Sequence, residues 1–432
     1  MTRTAVLHPD LKTGRERRAP EHALEEAVSL AHALSGLEVC DARVVPLKNP
    51  RAGTLFGSGK VKEIKDLLEG LDVTLVVIDG PVTPVQQRNL EKEWNVKILD
   101  RTGLILEIFA DRAGTREGVL QVDLAALNYQ RTRLVRSWTH LERQRGGLGF
   151  VGGPGETQIE ADRRAIDEQI VVIRRQLEKV TRTRGLHRSA RKKVPFPIVA
   201  LVGYTNAGKS TLFNRLTGAD VMAKDMLFAT LDPTMRTVEL PDGPNVILSD
   251  TVGFISDLPT ELVAAFRATL EEVLDADLIL HVRDISHPET EAQAADVRDI
   301  LDSLGVTETK RDAMIEVWNK IDLIPQEDRA AALNVGNRKA HVQPLSAITG
   351  EGLDALISAI DVALRPVEIE DELQMSHAAG EAMAWLHARK LIQSVATDEH
   401  GNTVLVKWSD KQKRQFAKQF PAILTLPDDI YI

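Results

Sequence analysis

The chain has little cysteine and no long hydrophobic segment. Cys40 is the only cysteine among 432 residues, which excludes an intrachain disulfide and a zinc cluster built from several thiolates. No apolar run approaches the roughly 18 residues that a membrane-spanning helix needs. The first residues, Met1 to Thr4, lack the apolar region of a secretory signal. We therefore expect a protein of the reducing cytoplasm.

Acidic residues predominate in the whole chain but not in its middle. The net charge is −9, yet residues 131–193 hold 16 Lys and Arg against 7 Asp and Glu. A local basic surface can bind phosphate while the rest of the molecule stays acidic. The alternative is a solvated helical surface without a partner. The length suggests about three domains, each with its own core.

The most informative motif lies near the centre of the chain. It follows the apolar run 198–202 and precedes the helical pattern of Leu212 and Leu216. A strand, a glycine-rich turn and a helix form the setting in which GxxxxGK[ST] binds phosphates through backbone N–H groups. The predicted phosphate loop consists of Gly203, Tyr204, Thr205, Asn206, Ala207, Gly208, Lys209, Ser210 and Thr211. Lys209 would reach the β- and γ-phosphates, and the Ser210 hydroxyl would bind Mg²⁺.

Two further segments have the order and chemistry of nucleotide-sensing switches. The first is a polar loop of Phe228, Ala229, Thr230, Leu231 and Asp232. Thr230 is predicted to supply the second hydroxyl to Mg²⁺, with Thr234 as the second choice. The second segment closes an apolar run and consists of Asp250, Thr251, Val252 and Gly253. Its carboxylate would hold Mg²⁺ through water, and the Gly253 N–H would sense the γ-phosphate. Lys209, Thr230 and Gly253 are therefore the predicted catalytic groups.

Two later segments predict recognition of guanine. The first ends another apolar strand and consists of Asn319, Lys320, Ile321 and Asp322. The Asp322 carboxylate can accept hydrogen bonds from guanine N1–H and the N2 amine, a donor pair that adenine lacks. The second consists of Leu345, Ser346 and Ala347, from which a backbone N–H would reach guanine O6. All five segments in this order predict a GTP-binding domain.

The basic segment is predicted to be a helical hairpin. Apolar residues recur at heptad-like spacing from Leu120 to Leu141 and from Ile159 to Val180. Six glycines among residues 146–155 must interrupt the helix, and a capping box at Thr157 and Glu160 would restart it. The tip would bind RNA through Arg143, Arg145, Gly149 and Phe150. The alternative is a floppy connection that binds nothing.

The predicted fold class is α/β, with a P-loop GTPase domain as its centre. The domains are an N-terminal α/β domain (1–115), a helical hairpin with a glycine-rich tip and hinge (116–194), the GTP-binding domain (195–365) and a C-terminal α/β appendage (366–432). In the first domain, Gly57 to Lys60 suggest a second phosphate loop, but Thr54 and Val61 break the required spacing. A glycine turn that starts a helix is the alternative.

These motifs resemble the HflX family of translation-associated GTPases, within the Obg–HflX superfamily. The resemblance rests on residues 203–211, 228–234 and 250–255, and on the glycine-rich segment 146–158, whose sequence is special to this family. It implies that the GTP-bound protein binds the large ribosomal subunit and its RNA and splits, rescues or recycles ribosomes. We also expect the protein to be a monomer. A fraction of the protein molecules would then associate with membrane-bound ribosomes. Alternatives are a nucleotide-gated assembly or RNA-binding scaffold, and an ATP-driven RNA remodeller that works through the N-terminal domain.

Two positions bear on catalysis. Phe254 follows Gly253, where Ras-like proteins hold a glutamine that orients water. An apolar ring cannot orient water, so we predict slow intrinsic hydrolysis that rises when a partner orders the switches. Asn206 occupies the place where related GTPases hold K⁺ in the role of an arginine finger. K⁺ assistance is therefore a hypothesis beside the predicted Mg²⁺.

Overall fold

The computed structural model describes most of the chain. The described residues are 1–11, 19–144, 154–191, 196–219, 227–228, 234–241, 245–256, 272–339, 341–365, 368–399 and 401–424. Only the backbone is described for residues 135–144, 154–159, 181, 183–191, 332, 337, 410 and 411. The chain divides into two compact units, Met1–Ile360 and Asp361–Ile432. No helix among the described residues is long and apolar enough to cross a membrane.

A parallel four-stranded sheet with surrounding helices forms the first part of the larger unit. Its strands are β1 (Thr2–Leu11), β2 (Leu37–Leu47), β3 (Leu75–Ile78) and β4 (Lys97–Asp100), in the order β2-β1-β3-β4. The helices are α1 (Pro20–Ala33), α2 (Ser58–Gly70), α3 (Pro84–Trp94) and α4 (Arg101–Arg112). All four residues of β3 are buried, as a strand covered by helices on both faces requires.

The local sequence explains where these helices begin. Thr83 caps α3 through a reciprocal pair with Gln86, and Pro84 stands at the first helical position, where its missing N–H is harmless. Gly57 precedes α2, and Lys60 in its first turn pairs with Glu63 at 2.8 Å. The segment Gly57 to Lys60 thus has the form of a glycine turn that starts a helix.

Two long helices, α5 (Arg116–Gln144) and α6 (Pro154–Arg191), follow this sheet. The two helices contact each other, and Arg131 of α5 donates to Asp167 of α6 at 3.3 Å. These two residues lie equally far in sequence from Gly149, as an antiparallel hairpin requires. The second helix begins at Pro154, three residues before the predicted cap at Thr157, because proline is well suited to the first turn.

A six-stranded sheet forms the second half of the larger unit. Its strands are β5 (Ile198–Gly203), β6 (Thr234–Val238), β7 (Val246–Asp250), β8 (Leu278–Asp284), β9 (Ile315–Asn319) and β10 (Val342–Pro344), in the order β10-β9-β8-β5-β7-β6. Only β6 is antiparallel to its neighbour. Its helices are α7 (Lys209–Thr217), α8 (Thr290–Leu304), α9 (Glu308–Asp312), α10 (Gln326–Arg338) and α11 (Leu353–Leu364). The carboxyl ends of the parallel strands meet at one edge, where such sheets bind ligands.

The smaller unit is an antiparallel three-stranded sheet with two helices. Its elements are β11 (Glu368–Met375), α12 (Gly380–Ala388), β12 (Ile392–Thr397), β13 (Asn402–Ser409) and α13 (Asp410–Gln419), with strand order β11-β13-β12. Trp408 and Phe416 are fully buried in its core. The sequence pattern predicts a helix near Ala378 to Ile392, but the helix of the structure ends at Ala388, and Ile392 opens a strand.

Candidate functional site

The turn between β5 and α7 has the backbone that a phosphate loop needs. Gly208 has φ +92°, and a Cβ placed there would lie 2.2 Å from Asn319 Nδ2. Only glycine therefore satisfies both the left-handed backbone and the close approach of a side chain from β9. The helix α7 begins directly after it at Lys209, so that its first N–H groups face this turn.

Lys209 is enclosed by the loop that precedes it. Its ammonium donates to Gly203 O at 3.1 Å and to Tyr204 O at 2.8 Å, and the residue is only 6% exposed. Burial lowers the pKa of Lys209 to about 8, although the charge of Asp250 acts in the opposite direction. A phosphate beside this ammonium would supply the negative charge that a buried cation needs.

The predicted Mg²⁺ ligands are brought together as far as the described residues allow. The Ser210 hydroxyl donates to Asp250 Oδ2 at 2.7 Å. A hydroxyl and a carboxylate are oxygen donors of the kind that Mg²⁺ prefers, so Ser210 and Asp250 fit the ion. When bound, the ion would neutralise charge on the β- and γ-phosphates. Thr230 lies outside the described residues, whereas Thr234 begins β6 and is partly buried.

The segment after β7 is hydrogen-bonded to the phosphate loop through the backbone. Phe254 N donates to Gly203 O at 3.1 Å, and Thr205 N donates to Phe254 O at 2.7 Å. Gly253 is packed so closely that an added Cβ would lie 2.9 Å from Thr205 Cα and 3.0 Å from Lys209 Nζ. The Phe254 ring is 2% exposed. The structure thus brings Lys209 and Gly253 together, as expected for two residues that are both predicted to contact the γ-phosphate.

Asn319 connects the phosphate end of the site to the base end. Its side-chain Nδ2 donates to Ala207 O at 2.8 Å, and its Oδ1 accepts from Ala347 N at 3.0 Å. The residue is 2% exposed. Because both halves of the amide are used, one buried side chain fixes the distance between the loop that would hold phosphate and the loop that would hold guanine.

The residues predicted to recognise the base follow Asn319 in the chain. Asp322 Oδ1 is buried and has no hydrogen-bond partner among the described residues, so it is an acceptor ready for the donor pair of guanine. Lys320, at φ +64°, pairs with Asp284 at 2.7 Å. Ala347 N already donates to Asn319, and Ser346 N donates to Glu351 O at 2.9 Å. A contact to guanine O6 through either amide would have to replace one of these bonds and stays a prediction.

Several predicted site residues lie wholly or partly outside the described part of the chain. Ala229, Leu231 and Asp232, with Arg145, Gly149 and Phe150, lie outside the described residues, as does the side chain of Arg143. Phe228 is described: it is 3% exposed and packs edge-to-face on Phe109 of α4, with ring centroids 4.6 Å apart. The first switch therefore begins in contact with the N-terminal sheet domain.

Residues of that domain also reach the phosphate loop, and sequence reasoning missed them. Glu26 of α1 accepts a hydrogen bond from the Tyr204 hydroxyl, and Arg101 of α4 donates to Ser256 O at 3.0 Å. No motif marks Glu26 or Arg101. A single charge among polar neighbours on an amphipathic helix gives no sequence signal.

Known proteins resemble this chain over most of its length. Three family models match: a GTP-binding GTPase N-terminal region over residues 21–110, a GTP-binding GTPase middle region over 112–191 and a 50S ribosome-binding GTPase over 198–320. GTPase HflX of Magnetococcus marinus is 49% identical over 403 residues, 93% of this chain and 92% of that protein. GTPase HflX of Escherichia coli is 41% identical and covers 93% of both. The crystal structure of SsGBP with GDP has 24% identity, a TM-score of 0.49 and covers 83% of this chain and 97% of that one.

The relatives match nearly the full length of the chain, and the family models cover the N-terminal sheet, the helical pair and most of the GTPase domain. The predicted phosphate loop and both predicted switch segments lie within residues 198–320, the range of the 50S ribosome-binding GTPase model. The protein is therefore a P-loop GTPase that hydrolyses GTP to GDP and phosphate, and it belongs to the HflX family of translation-associated GTPases.

Proposed function

We propose that the protein binds the large ribosomal subunit in its GTP state and splits, rescues or recycles ribosomes. The observation that carries this proposal is the direct attachment of a basic helical hairpin to a GTP switch. Residues 131–193 carry 16 basic against 7 acidic side chains, and the described residues of this range belong to α5 and α6, which contact each other. The description of the matching family, a 50S ribosome-binding GTPase, supports the same partner.

The nucleotide site supplies the switch. Lys209 would bind the β- and γ-phosphates, Ser210 with Thr230 would hold Mg²⁺, and the Gly253 N–H would report a third phosphate. The hairpin tip, with Arg143, Arg145, Gly149 and Phe150, would contact ribosomal RNA through phosphate contacts and stacking. The protein would act as a cytoplasmic monomer, and a fraction would accompany membrane-bound ribosomes.

Intrinsic hydrolysis is proposed to be slow. Phe254, at the position of the water-orienting glutamine, is buried and its backbone is bonded to the phosphate loop. Its ring has no group that could orient water, so the nucleophile must be placed by other groups. A ribosomal partner that orders the two switches would raise the rate, and K⁺ bound near Asn206 would add charge stabilisation.

Co-sedimentation with purified ribosomal subunits tests the proposal. The protein is mixed with each subunit in GDP and in a non-hydrolysable GTP analogue, and GTP turnover is measured with and without subunits. We expect binding to the large subunit in the GTP-analogue form and faster turnover in its presence. Equal binding in both nucleotide forms contradicts a GTP gate. Tight binding without any stimulation favours the scaffold alternative.

A pair of variants separates the hairpin tip from general charge. Arg145→Ala with Phe150→Ala is compared with Lys62→Ala, a lysine on the exposed side of α2. Each lost phosphate contact reduces the salt dependence of binding by about one unit of slope. We expect weaker subunit binding and a smaller salt slope for the tip variant and no change for the control. The same loss in both variants would show that the tip has no special role.

A further inference from the structure

Thr205, in the phosphate loop, has a buried hydroxyl without a hydrogen bond. The residue is 7% exposed, and its Oγ1 atom has no hydrogen-bond partner among the described residues. Burying a hydroxyl without a partner is unfavourable, and such groups are uncommon in folded proteins. Thr251, after β7, shows the ordinary case, because its hydroxyl donates to Leu201 O at 2.6 Å. The Thr205 hydroxyl is therefore suited to a partner that is not part of the chain.

The backbone N–H of Thr205 is already in use. It donates to Phe254 O at 2.7 Å, although the N–H groups of a phosphate loop ordinarily point at phosphate. Phe254 N in turn donates to Gly203 O at 3.1 Å. These two bonds hold the backbone of Thr205 beside the segment after β7. The side chain, rather than this N–H, is what Thr205 can offer to a substrate.

Thr205 lies at the place where the γ-phosphate is predicted to bind. A Cβ added to Gly253 would lie 2.9 Å from both Cα and Cγ2 of Thr205 and 3.0 Å from Lys209 Nζ. The side chains closest to that position among the described residues thus belong to Thr205 and Lys209. Lys209 and the Gly253 N–H are the groups predicted to contact the γ-phosphate, so Thr205 is the third residue around it.

The Thr205 hydroxyl can reach this place without a change of backbone. Its Oγ1 and Cγ2 are bonded to the same Cβ, so a rotation about the Cα–Cβ bond between staggered rotamers exchanges their positions. Cγ2 already lies on the side of Gly253. A hydroxyl both donates and accepts hydrogen bonds, which is the chemistry needed to hold a water molecule beside a phosphate.

The other groups near Gly253 are unsuited to holding the attacking water. The Phe254 ring is 2% exposed and has neither a donor nor an acceptor. Lys209 is a donor without an acceptor when it is charged. The Ser210 hydroxyl already donates to Asp250 and is the predicted Mg²⁺ ligand. Thr205 is left as the side chain beside Gly253 that can accept a hydrogen bond from water.

We propose that Thr205 is a catalytic residue of GTP hydrolysis. Its hydroxyl accepts a hydrogen bond from the attacking water beside the γ-phosphate, which is the task of the glutamine in Ras-like proteins. The proposal concerns hydrolysis itself and holds whether or not the ribosome is the partner of this protein.

The hydrogen bond turns a lone pair of the water toward phosphorus. The water oxygen forms a bond to the γ-phosphorus while the bond from phosphorus to the bridging oxygen breaks, and GDP leaves with that electron pair. The proton that the water loses ends on the inorganic phosphate. The Thr205 hydroxyl keeps its own proton throughout, so it orients the water and is not a general base.

Thr205→Val tests the assignment, because valine keeps the shape of threonine and removes only the hydroxyl. Single-turnover hydrolysis by the full-length protein gives the rate constant for bound GTP, and titrations give the affinities for GDP and for a non-hydrolysable GTP analogue. We expect the rate constant to fall about 10- to 100-fold, as for one hydrogen bond lost from the transition state. Both affinities should stay unchanged, because the lost contact is made to water and not to the nucleotide.

Two variants control for shape and for general effects. Thr205→Ser keeps the hydroxyl without the methyl group, and it should hydrolyse GTP at nearly the wild-type rate. Thr217→Val removes a hydroxyl that donates to Phe213 O at 2.7 Å at the other end of α7. It should lower the melting temperature and leave the rate constant unchanged, whereas Thr205→Val should not lower the melting temperature.

Four results would overturn the proposal. They are a wild-type rate constant in Thr205→Val, equal slowing in Thr205→Ser, equal slowing in Thr217→Val, and a loss of affinity for the GTP analogue at an unchanged rate constant. The last result would assign the hydroxyl to binding of the ground state. If Thr205→Val does not fold, Thr205→Ala takes its place, and equal rates in Thr205→Ala and Thr205→Ser overturn the proposal in the same way.

Discussion

Asp322→Asn is the sharpest test of the base end of the site. Asp322 Oδ1 is buried without a hydrogen-bond partner among the described residues, so guanine would satisfy it by donating from N1–H and the N2 amine. Asparagine would place an N–H donor opposite one of these two guanine donors, where no hydrogen bond can form, and it carries no charge. Xanthine, which has a carbonyl at C2, would accept from that donor.

The expected size follows from the bonds lost. A hydrogen bond to a charged group contributes about 1.5–3 kcal/mol, and two of them contribute about 3–6 kcal/mol before relaxation. The affinity for GTP should therefore fall by at least about a hundredfold, at roughly 1.4 kcal/mol for each factor of ten. The affinity for xanthosine triphosphate should rise at the same time, because its C2 carbonyl accepts from the new amide.

Competition binding between GTP and xanthosine triphosphate measures both changes in one assay. Asp328→Asn is a matched control, because it removes the same charge as Asp322→Asn. Asp328 lies in the first turn of α10 and is exposed. We expect the control to keep its GTP preference. Retention of that preference by Asp322→Asn would refute the base-recognition role given to this carboxylate.

Four further outcomes are expected. Lys209→Ala should weaken GTP binding or turnover severely, since a phosphate charge partner contributes several kcal/mol; near-normal turnover contradicts its placement. Because burial lowers the pKa of Lys209 to about 8, the free protein loses this charge as the pH rises above that value. Nucleotide binding at pH 8.5 should then take up a proton, seen as a calorimetric heat that depends on the buffer. Phe254→Ala should retain stimulated turnover, and complete loss would argue against the view that its ring has no role in orienting water. Hydrolysis should be faster in K⁺ than in Na⁺, and equal rates would remove K⁺ from the Asn206 site.

Local chemistry explains how the sequence predicts a candidate nucleotide site. A phosphate loop needs glycine where φ is positive and where a neighbour approaches, and Gly208 meets both conditions in the structure. Asp322 and Lys209 lie in short segments that follow a strand, so the sequence predicts that both are at the carboxyl edge of the parallel sheet. The α/β class and the P-loop GTPase domain were predicted correctly for the same reason.

Contacts between distant segments could not be predicted in this way. Asn319 was expected near the base, but its bridge from Ala207 to Ala347 depends on how three strands are aligned. Glu26 and Ser256 are 230 positions apart and meet through a 2.7 Å hydrogen bond. Neither residue type nor spacing indicates such a pair.

The sequence by itself determined which chemistry this chain carries: phosphate binding, guanine recognition and a basic helical pair, each written in residues close together along the chain. Only the tertiary structure decided that Glu26 and Arg101 of the N-terminal sheet domain contact Tyr204 and Ser256 of the GTPase domain. The physical reason is that a backbone motif is a local property, whereas a buried ion network exists only once separate elements have packed and excluded water from the charges between them.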